Sequence, residues 1–201
     1  DVLMQVVFHA QMEAEEGSFT FENVADGVCK KLIERHPHVF GEVEVTGSEE
    51  VLRNWDDIKK RSKGQTSQTE TMLSVPRELP ALMRATKVQK KAAKVGFDWP
   101  DISGAVDKLY EETSELSGAI ESGSEEEIAE ELGDLLFSAV NVSRFVGCDA
   151  EEALTAATDK FMRRFACVEE KARERGLKLE ELSLSELDAL WDEAKLDLLS
   201  K

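Results

Sequence analysis

Apolar residues recur along this chain at the three- and four-residue intervals of an α-helix, and strand-like alternation is nearly absent. Caps and breakers mark where helices begin and end: Ser124 and Asp149 are placed to cap two helices, and Gly123 and Gly147 stand where helices stop. The pattern predicts an all-α protein built as an antiparallel helical bundle. The predicted helices span residues 2–15, 20–36, 48–61, 80–95, 102–122, 125–147, 149–175 and 183–199.

A stretch rich in Thr, Ser and Gln, with two prolines, interrupts the helical pattern between residues 63 and 80. Such a composition is typical of a linker. We therefore expect a first domain at residues 1–62, a linker at 63–80 and a longer second domain at 81–201.

Three blocks of similar residues occur in the same order in both parts, which predicts an internal duplication. The matching blocks are Asp1-Val2-Leu3 with Asp134-Leu135-Leu136, Lys31 and Arg35 with Lys160 and Arg164, and Trp55-Asp56-Asp57-Ile58-Lys59 with Trp191-Asp192-Glu193-Ala194-Lys195. The first copy begins at the residue that matches Asp134. We expect it to be an incomplete copy, either truncated or continued in a longer chain.

Two neighbouring predicted helices each carry a pair of carboxylates three residues apart, Glu112 with Glu115 and Glu131 with Asp134. On ideal helices both pairs lie roughly 60° and 120° from the centre of the apolar stripe. Because the connection around Gly123 is short, the helices should pack antiparallel and bring the pairs together. The two stripes expected to form the core are Leu109, Thr113, Leu116 and Ile120, and Ile128, Leu132, Leu135, Ala139 and Val146.

Carboxylates gathered in this way repel one another by about 1 to 4 kcal/mol for each pair at about 4 Å. A divalent cation among them removes that cost, and oxygen-only ligands favour Mg²⁺, Mn²⁺ or Ca²⁺ over Zn²⁺. Mg²⁺ commonly shares the phosphate oxygens of a substrate, so the pattern points to a phosphate compound. The remaining acids of these helices, among them Glu111, Glu126, Glu127 and Glu130, are expected to face water.

The overall composition excludes several classes of protein. The formal net charge of −17 argues against binding duplex nucleic acid through a basic face. No apolar run approaches the roughly 18 residues of a membrane span. The three cysteines form no CxxC pair, so we expect no disulfide framework and a cytoplasmic protein.

Other catalytic architectures lack their residues here. A di-iron bundle needs Glu-x-x-His on two helices, and the only histidines are His9, His36 and His38, all in the first domain. No Gly-rich phosphate loop of the P-loop type occurs, and no Ser or Cys nucleophile has a companion base motif.

The acidic motif resembles the EExxE…ExxD signature of the MazG-type nucleoside triphosphate pyrophosphohydrolases. Here it reads Glu111-Glu112-x-x-Glu115 followed by Glu131-x-x-Asp134. The resemblance extends over nearly the whole chain. The further blocks that carry it are Leu82-Met83-Arg84-Ala85, Val95-Gly96-Phe97-Asp98-Trp99, Asp159-Lys160-Phe161 with Arg163-Arg164-Phe165, the final Trp191 to Lys195, and Arg35-His36-Pro37-His38-Val39-Phe40 in the first domain.

The resemblance implies an all-α fold in homodimers and Mg²⁺-dependent cleavage of nucleoside triphosphates to monophosphate and pyrophosphate. It implies metal ligands at Glu112, Glu115, Glu131 and Asp134, with Mn²⁺ as a possible substitute for Mg²⁺. It also implies that Lys160, Arg164 and Lys195 contact the triphosphate and that Trp191 lies near the nucleotide. Removal of non-standard nucleotides and control of a stress nucleotide pool both fit such an enzyme.

Two alternatives stay open from the sequence. One is a non-catalytic nucleotide or alarmone sensor, or an adaptor that uses its helices to dimerise. The other is an enzyme of narrow specificity, for dUTP or phosphoribosyl-ATP, because related all-α enzymes use similar carboxylates. The four retained carboxylates, together with Lys160, Arg164 and Lys195, favour an enzyme over a sensor. The flanking blocks that resemble the MazG type favour broad use of nucleoside triphosphates, and a substrate panel separates this from a narrow specificity.

Overall fold

The computed structural model of the protein describes residues 1–41, 47, 51, 54, 55, 58, 60–62 and 64–199. Every regular element among these residues is helical, which confirms the all-α prediction. The helix predicted at 48–61 lies largely outside the described residues. The helices are α1 (Val2–Glu15), α2 (Phe21–Arg35), α3 (Pro37–Phe40), α4 (Gln68–Leu73), α5 (Ala81–Ala93), α6 (Ile102–Ser122), α7 (Glu125–Phe145), α8 (Ala150–Glu174) and α9 (Leu184–Leu199), with a 3-10 turn at Leu179–Glu181.

The boundaries of the longer helices fall within two residues of those that the pattern predicts. The short helices α3 and α4 are not predicted, because one turn of helix contains too few residues to show a period. Helix α4 lies inside the stretch whose composition is typical of a linker.

Capping side chains explain why the sequence places these boundaries so well. The Asp149 carboxylate accepts hydrogen bonds from the backbone N–H groups of Glu151 and Glu152 at the start of α8. Ser124 Oγ accepts from the backbone N–H of Glu127 at the start of α7. Gly123 ends α6 with a φ of 75°, a left-handed conformation that favours glycine. These contacts are local, so they can be identified from the sequence alone.

The chain divides into two compact units, Asp1–Thr71 and Met72–Lys201. In the first unit α2 packs against both α1 and α3. In the second unit α6 and α7 form a hairpin, α5 packs against α7 and α8, and α9 packs against α8. The interpretation of the chain as two copies of one domain joined by a linker stays a prediction.

The face of the α6–α7 hairpin that is buried differs from the predicted apolar stripe. On α6 the buried residues are Ala105, Glu112 and Ala119, whereas Thr113 and Ile120 of the predicted stripe are exposed. The buried residues recur every seven positions, so they follow one face of the helix. The alanines allow the neighbouring helix to approach closely, and Glu112 therefore lies within the buried face rather than at its edge.

A separate apolar cluster holds α8 and α9 together. Its buried members are Val168 and Ala172 on α8 and Leu190 and Ala194 on α9. Ion pairs from Lys171 and Arg175 to Glu193, and from Lys171 to Asp197, reinforce the same pair of helices.

Two further findings concern the membrane and the thiols. Among the described residues, no helix combines the length and the apolar content that crossing a membrane requires. Cys29, Cys148 and Cys167 are all free thiols.

Candidate active site

The carboxylate of Glu112 is the buried centre of the acidic group that the sequence predicts. Glu112 is only 3% exposed, on the face of α6 that packs against α7. Its buried neighbours along this face are the small residues Ala105 and Ala119. A buried carboxylate is costly unless a cation or several hydrogen bonds compensate for its charge.

Three of the four predicted metal ligands come together in the folded chain. One carboxylate oxygen from each of Glu112, Glu115 and Glu131 lies within 4.8 Å of the other two. Glu115 is exposed at the rim of this group and Glu131 is half-buried. The antiparallel hairpin therefore joins acids that are sixteen and nineteen residues apart in the sequence.

The fourth predicted ligand, Asp134, lies outside that set of mutually close oxygens. It is exposed on α7, one helical turn after Glu131. The negative charge of Asp134 nevertheless contributes to the raised pKa of Glu131. Desolvation, followed by the charges of Glu115, Glu112 and Asp134, raises the pKa of Glu131 above its ordinary value. The neighbouring negative charges therefore make Glu131 easier to protonate than an isolated glutamate.

A lysine compensates for part of this charge. Lys108 Nζ lies 2.5 Å from Glu112 Oε1 and 2.9 Å from Glu111 Oε1. Hydrogen bonds to Glu112 and then Glu111 raise the pKa of Lys108 above its ordinary value, so the ammonium form is retained. Sequence reasoning did not single out Lys108. The sequence does contain a signal for this ion pair. Lys108 lies four residues before Glu112, and side chains at this spacing are neighbours on the surface of a helix.

The four residues expected to contact the nucleotide lie on the α8–α9 pair. Arg164 places its guanidinium carbon 5.8 Å from the ring centre of Trp191, and Phe161 packs on the same indole with ring centres 5.1 Å apart. Lys195 forms an ion pair with Asp192 at 2.7 Å, and Lys160 is exposed. Trp191 is also packed against the α8–α9 core.

The acids and the basic residues form two distinct clusters. Among the residues that the structure describes, no hydrogen bond or ion pair joins Lys160, Arg164 or Lys195 to the acidic group.

Comparison with known proteins finds a family match in both units of the chain. A sequence model described as the MazG nucleotide pyrophosphohydrolase domain matches residues 1–40 and 103–168. The second match contains Glu112, Glu115, Glu131 and Asp134, together with Lys160 and Arg164.

Individual relatives cover nearly the whole chain. The nucleoside triphosphate pyrophosphohydrolase of Escherichia coli K12 is 43% identical over 97% of this chain and 75% of its own length. The Thermotoga maritima nucleoside triphosphate pyrophosphohydrolase/pyrophosphatase MazG is 45% identical over 97% of this chain and 73% of its own length. The uncharacterized protein YabN of Bacillus subtilis is 50% identical over 97% of this chain and 40% of its own length.

Proposed function

This chain belongs to the MazG family of nucleotide pyrophosphohydrolases, and on that premise we propose that it hydrolyses nucleoside triphosphates with the acidic group of the α6–α7 hairpin. Cleavage falls between the α- and β-phosphates of NTPs and dNTPs and yields monophosphate and pyrophosphate. The observation that carries this proposal is the buried Glu112 carboxylate, which meets Glu115 and Glu131 within 4.8 Å.

The donor set suits Mg²⁺, with Mn²⁺ as a substitute, because all of its ligand atoms are carboxylate oxygens. Two observations support a cation at this group: the pKa of Glu131 is raised, and Lys108 already forms an ion pair with Glu112. Glu112, Glu115, Glu131 and Asp134 would hold the metal. When bound, Mg²⁺ supplies Lewis-acid chemistry, which neutralises phosphate charge and makes water a stronger nucleophile.

One of the carboxylates also acts as the general base for the attacking water. A general base must reach the water within hydrogen-bond distance. Glu115 is exposed at the rim of the group, whereas Glu112 is buried and bonded to Lys108. Both are candidates, and the exposure of Glu115 favours it as the group that orients the water and takes its proton.

Cations on the α8–α9 pair are suited to the phosphate tail. Lys160, Arg164 and Lys195 each place a positive charge on this pair of helices. Charge-assisted hydrogen bonds from such groups are strong and stabilise the negative charge that develops on the leaving pyrophosphate. Trp191 lies beside Arg164 and offers an apolar surface next to the charged groups.

We also propose a homodimer, because the α6–α7 hairpin leaves large apolar side chains uncovered. The exposed fractions of Tyr110, Ile120 and Leu136 are 71%, 59% and 49%. An apolar surface of this kind commonly marks an interface with another chain. Free cysteines support a reducing, cytoplasmic location.

Product analysis tests the proposed reaction. The protein is incubated with a panel of NTPs and dNTPs, with Mg²⁺ or with EDTA, and the nucleotide products are separated. We expect monophosphate and pyrophosphate with Mg²⁺, no turnover in EDTA, and at least roughly a hundredfold loss of kcat in Glu112→Gln. The matched control is Glu121→Gln, an exposed residue of the same helix, which should retain activity.

Each other outcome has a definite meaning. Diphosphate and orthophosphate as products would place the cleavage at another bond and refute the proposal. Nucleotide binding without turnover would indicate a sensor. Turnover of a single nucleotide would indicate a narrow-specificity relative.

A further inference from the structure

Helix α5 and the residue after it carry a concentration of positive charge that contrasts with the rest of the chain. Between residues 79 and 97 the sequence contains five cations and no acid, whereas the whole chain has a net charge of −17. A local excess of positive charge on an acidic protein indicates a surface for a negatively charged partner. The five cations, which form the basic stripe, are Arg84, Lys87, Lys90, Lys91 and Lys94.

The packing of α5 places the basic stripe on the outer side of the helix. Gln89 Nε2 donates to the backbone carbonyl of Phe137 at 2.8 Å, so the Gln89 side of α5 faces α7. On an ideal helix of about 3.6 residues per turn, four of the five cations centre about 180° from Gln89, and Lys90 lies about 100° from it. The basic stripe therefore points away from α7.

The acids of α7 act only weakly on the basic stripe. The width of α5 separates the two, and a helix with its side chains is about 10 Å wide. That distance exceeds the Debye length of about 8 Å at physiological salt, so the exposed carboxylates of α7 are largely screened from the stripe. The negative charge of the whole chain therefore does not cancel the local positive charge.

Three members of the basic stripe offer their charge to a partner. Arg84, Lys87 and Lys90 are exposed, and within the described chain none of them forms an ion pair or a side-chain hydrogen bond. By contrast, Lys108 and Arg144 each pair with an acid of the same unit. The charge of the three exposed residues is therefore available for binding.

The shape and the chemistry of the stripe fit a linear series of phosphates. From Arg84 to Lys94 the stripe extends about 15 Å along the helix axis. Four of its five members are lysines, which bind phosphate as flexible point charges without a fixed bidentate geometry. A chain of phosphates can contact the whole stripe, whereas a single compact phosphate group contacts only part of it.

An exposed aromatic ring lies beyond the C-terminal end of the stripe. Phe97 follows Lys94 by three residues and is 82% exposed. Its loop is held in place, because Asp98 accepts hydrogen bonds from Arg144 at 2.8 and 2.5 Å. Proteins that bind single strands combine positive charge along the backbone with aromatic rings on which bases stack. The ring favours nucleic acid over polyphosphate, an acidic peptide or an anionic lipid surface, since none of these has bases.

We propose that the basic stripe and Phe97 bind a single strand of nucleic acid, with phosphates along α5 and a base against the Phe97 ring. The contact is independent of sequence, because it uses the backbone and the flat face that every base has. Salt weakens it, because each phosphate contact releases counterions. This binding is separate from the proposed catalysis, since the stripe and Phe97 belong neither to the acidic group nor to the α8–α9 pair.

Fluorescence anisotropy of labelled oligothymidine tests this binding with the full chain. The probe has about 12 nucleotides, within the range of about 4–16 that single-strand sites cover, and EDTA keeps metal away from the acidic group. We expect the combination of Arg84→Gln, Lys87→Gln and Lys90→Gln to weaken binding at least about tenfold. The slope of log K against log salt concentration should become less steep by about 2, since each lost contact contributes about 0.7.

The matched control removes three exposed cations elsewhere on the chain. The combination of Lys30→Gln, Arg173→Gln and Lys178→Gln changes the net charge by the same amount, and we expect it to leave the affinity unchanged. Lys87→Arg keeps the charge of the stripe and should retain binding. Thermal unfolding shows whether each variant is folded, and nucleotide hydrolysis with Mg²⁺ should stay at the wild-type level in the triple variant of the stripe.

Phe97→Ala distinguishes nucleic acid from inorganic polyphosphate. Loss of one stacked base should lower the affinity for oligothymidine at least about fivefold. Binding of inorganic polyphosphate, which has no base, should be the same in Phe97→Ala and in the wild-type protein.

Each other outcome has a definite meaning. Equal affinity for oligothymidine in the triple variant of the stripe and in its control would overturn the proposal, and so would an unchanged affinity in Phe97→Ala. Tighter stripe-dependent binding of a polyglutamate peptide or of phosphatidylserine vesicles would assign the stripe to an acidic protein or a membrane and overturn it too. Loss of nucleotide hydrolysis in the triple variant would assign the stripe to the substrate, with the same result. Stripe-dependent binding of oligothymidine by a chain that hydrolyses no nucleotide would support this inference and refute the proposed function.

Discussion

Lys108 Nζ lies 2.5 Å from Glu112 Oε1, so the buried carboxylate of the acidic group is already paired with a cation from its own helix. The Lys108 side chain is 37% exposed, whereas that of Glu112 is 4% exposed. The ammonium group can therefore move into solvent while the carboxylate stays in place. A metal ion that binds Glu112 has to displace Lys108 or share the carboxylate with it.

Removal of this lysine should strengthen metal binding. We expect Lys108→Met to lower the Kd for Mn²⁺ or Mg²⁺ by about tenfold, because the metal no longer competes with a charged hydrogen bond. The metal-free variant should melt at a lower temperature than the wild-type protein, since Glu112 then lacks its counter-charge. Isothermal titration and thermal unfolding measure the two effects. The control is Lys30→Met, which breaks an exposed ion pair with Asp26. Equal metal affinities in the wild-type protein, Lys108→Met and Lys30→Met would contradict the prediction.

Replacing the charged Glu131 by a neutral side chain should raise the stability of the metal-free protein and abolish its activity. Glu131→Gln removes a like charge from the acidic group, so the metal-free protein should melt at a higher temperature. The same change should abolish turnover and the response to Mg²⁺. In the wild-type protein, Mg²⁺ at about 100 times its Kd should raise stability by about 2.7 kcal/mol. Thermal unfolding with and without Mg²⁺ measures these changes.

The control for Glu131 is its exposed neighbour on α7. Glu130→Gln should keep both turnover and the rise in melting temperature with Mg²⁺. A full Mg²⁺ response in Glu131→Gln would show that this carboxylate does not take part in metal binding.

The Asp98–Arg144 pair should make stability depend on pH. Its hydrogen bonds to Arg144 hold the pKa of Asp98 below its ordinary value. The pair therefore contributes stability that is present above the unfolded pKa of Asp98 and is lost as the pH falls through the lower folded pKa. Asp98→Asn should cost about 1–2 kcal/mol at about pH 7 and progressively less between about pH 5 and pH 2. Urea unfolding across this range measures the difference.

An aspartate on the surface of α9 provides the comparison for that experiment. Asp188→Asn should change the free energy of unfolding little at either end of the pH range. A loss in Asp98→Asn that is the same at low and neutral pH would show that the charge of Asp98 is not what stabilises the protein.

Two glycines of α6 should respond in opposite ways to the same substitution. Gly104→Ala places a Cβ 2.6 Å from the Trp99 ring, so the indole has to move. We expect a changed tryptophan fluorescence spectrum and a lower melting temperature. Gly118 has no heavy atom within 4 Å of its added Cβ, so Gly118→Ala should stabilise the helix by about 0.5–1 kcal/mol. An unchanged spectrum in Gly104→Ala would contradict the packing of Trp99 on this helix.

Local signals account for what the pattern of residues predicted correctly. Ser124, Asp149 and Gly123 act on backbone groups within a few residues of themselves, so the helix ends follow from the sequence. The pairing of Glu112 with Glu131 also follows, because a short turn leaves little choice in how two helices pack.

The buried face of α6 did not follow from the pattern. Leu109, Leu116 and Ile120 are apolar at helical spacing, and yet Ile120 is 59% exposed while Glu112 is buried. Periodicity shows that a face is apolar, but it does not show whether that face meets the next helix or another chain. The spacing of small residues, Ala105 and Ala119, was the signal for close packing.

By itself the sequence determined the longer helices of the described chain, the caps of α7 and α8 and the paired carboxylates of α6 and α7, because each of these depends on residues close together in the chain. Only the tertiary structure decided that Glu112 is buried beside Lys108, that Asp98 and Arg144 join across 46 residues, and that Gln89 donates to the backbone carbonyl of Phe137 on another helix. Such contacts depend on how helices rotate and approach one another. That arrangement results from the packing of all side chains together, and no short stretch of sequence specifies it.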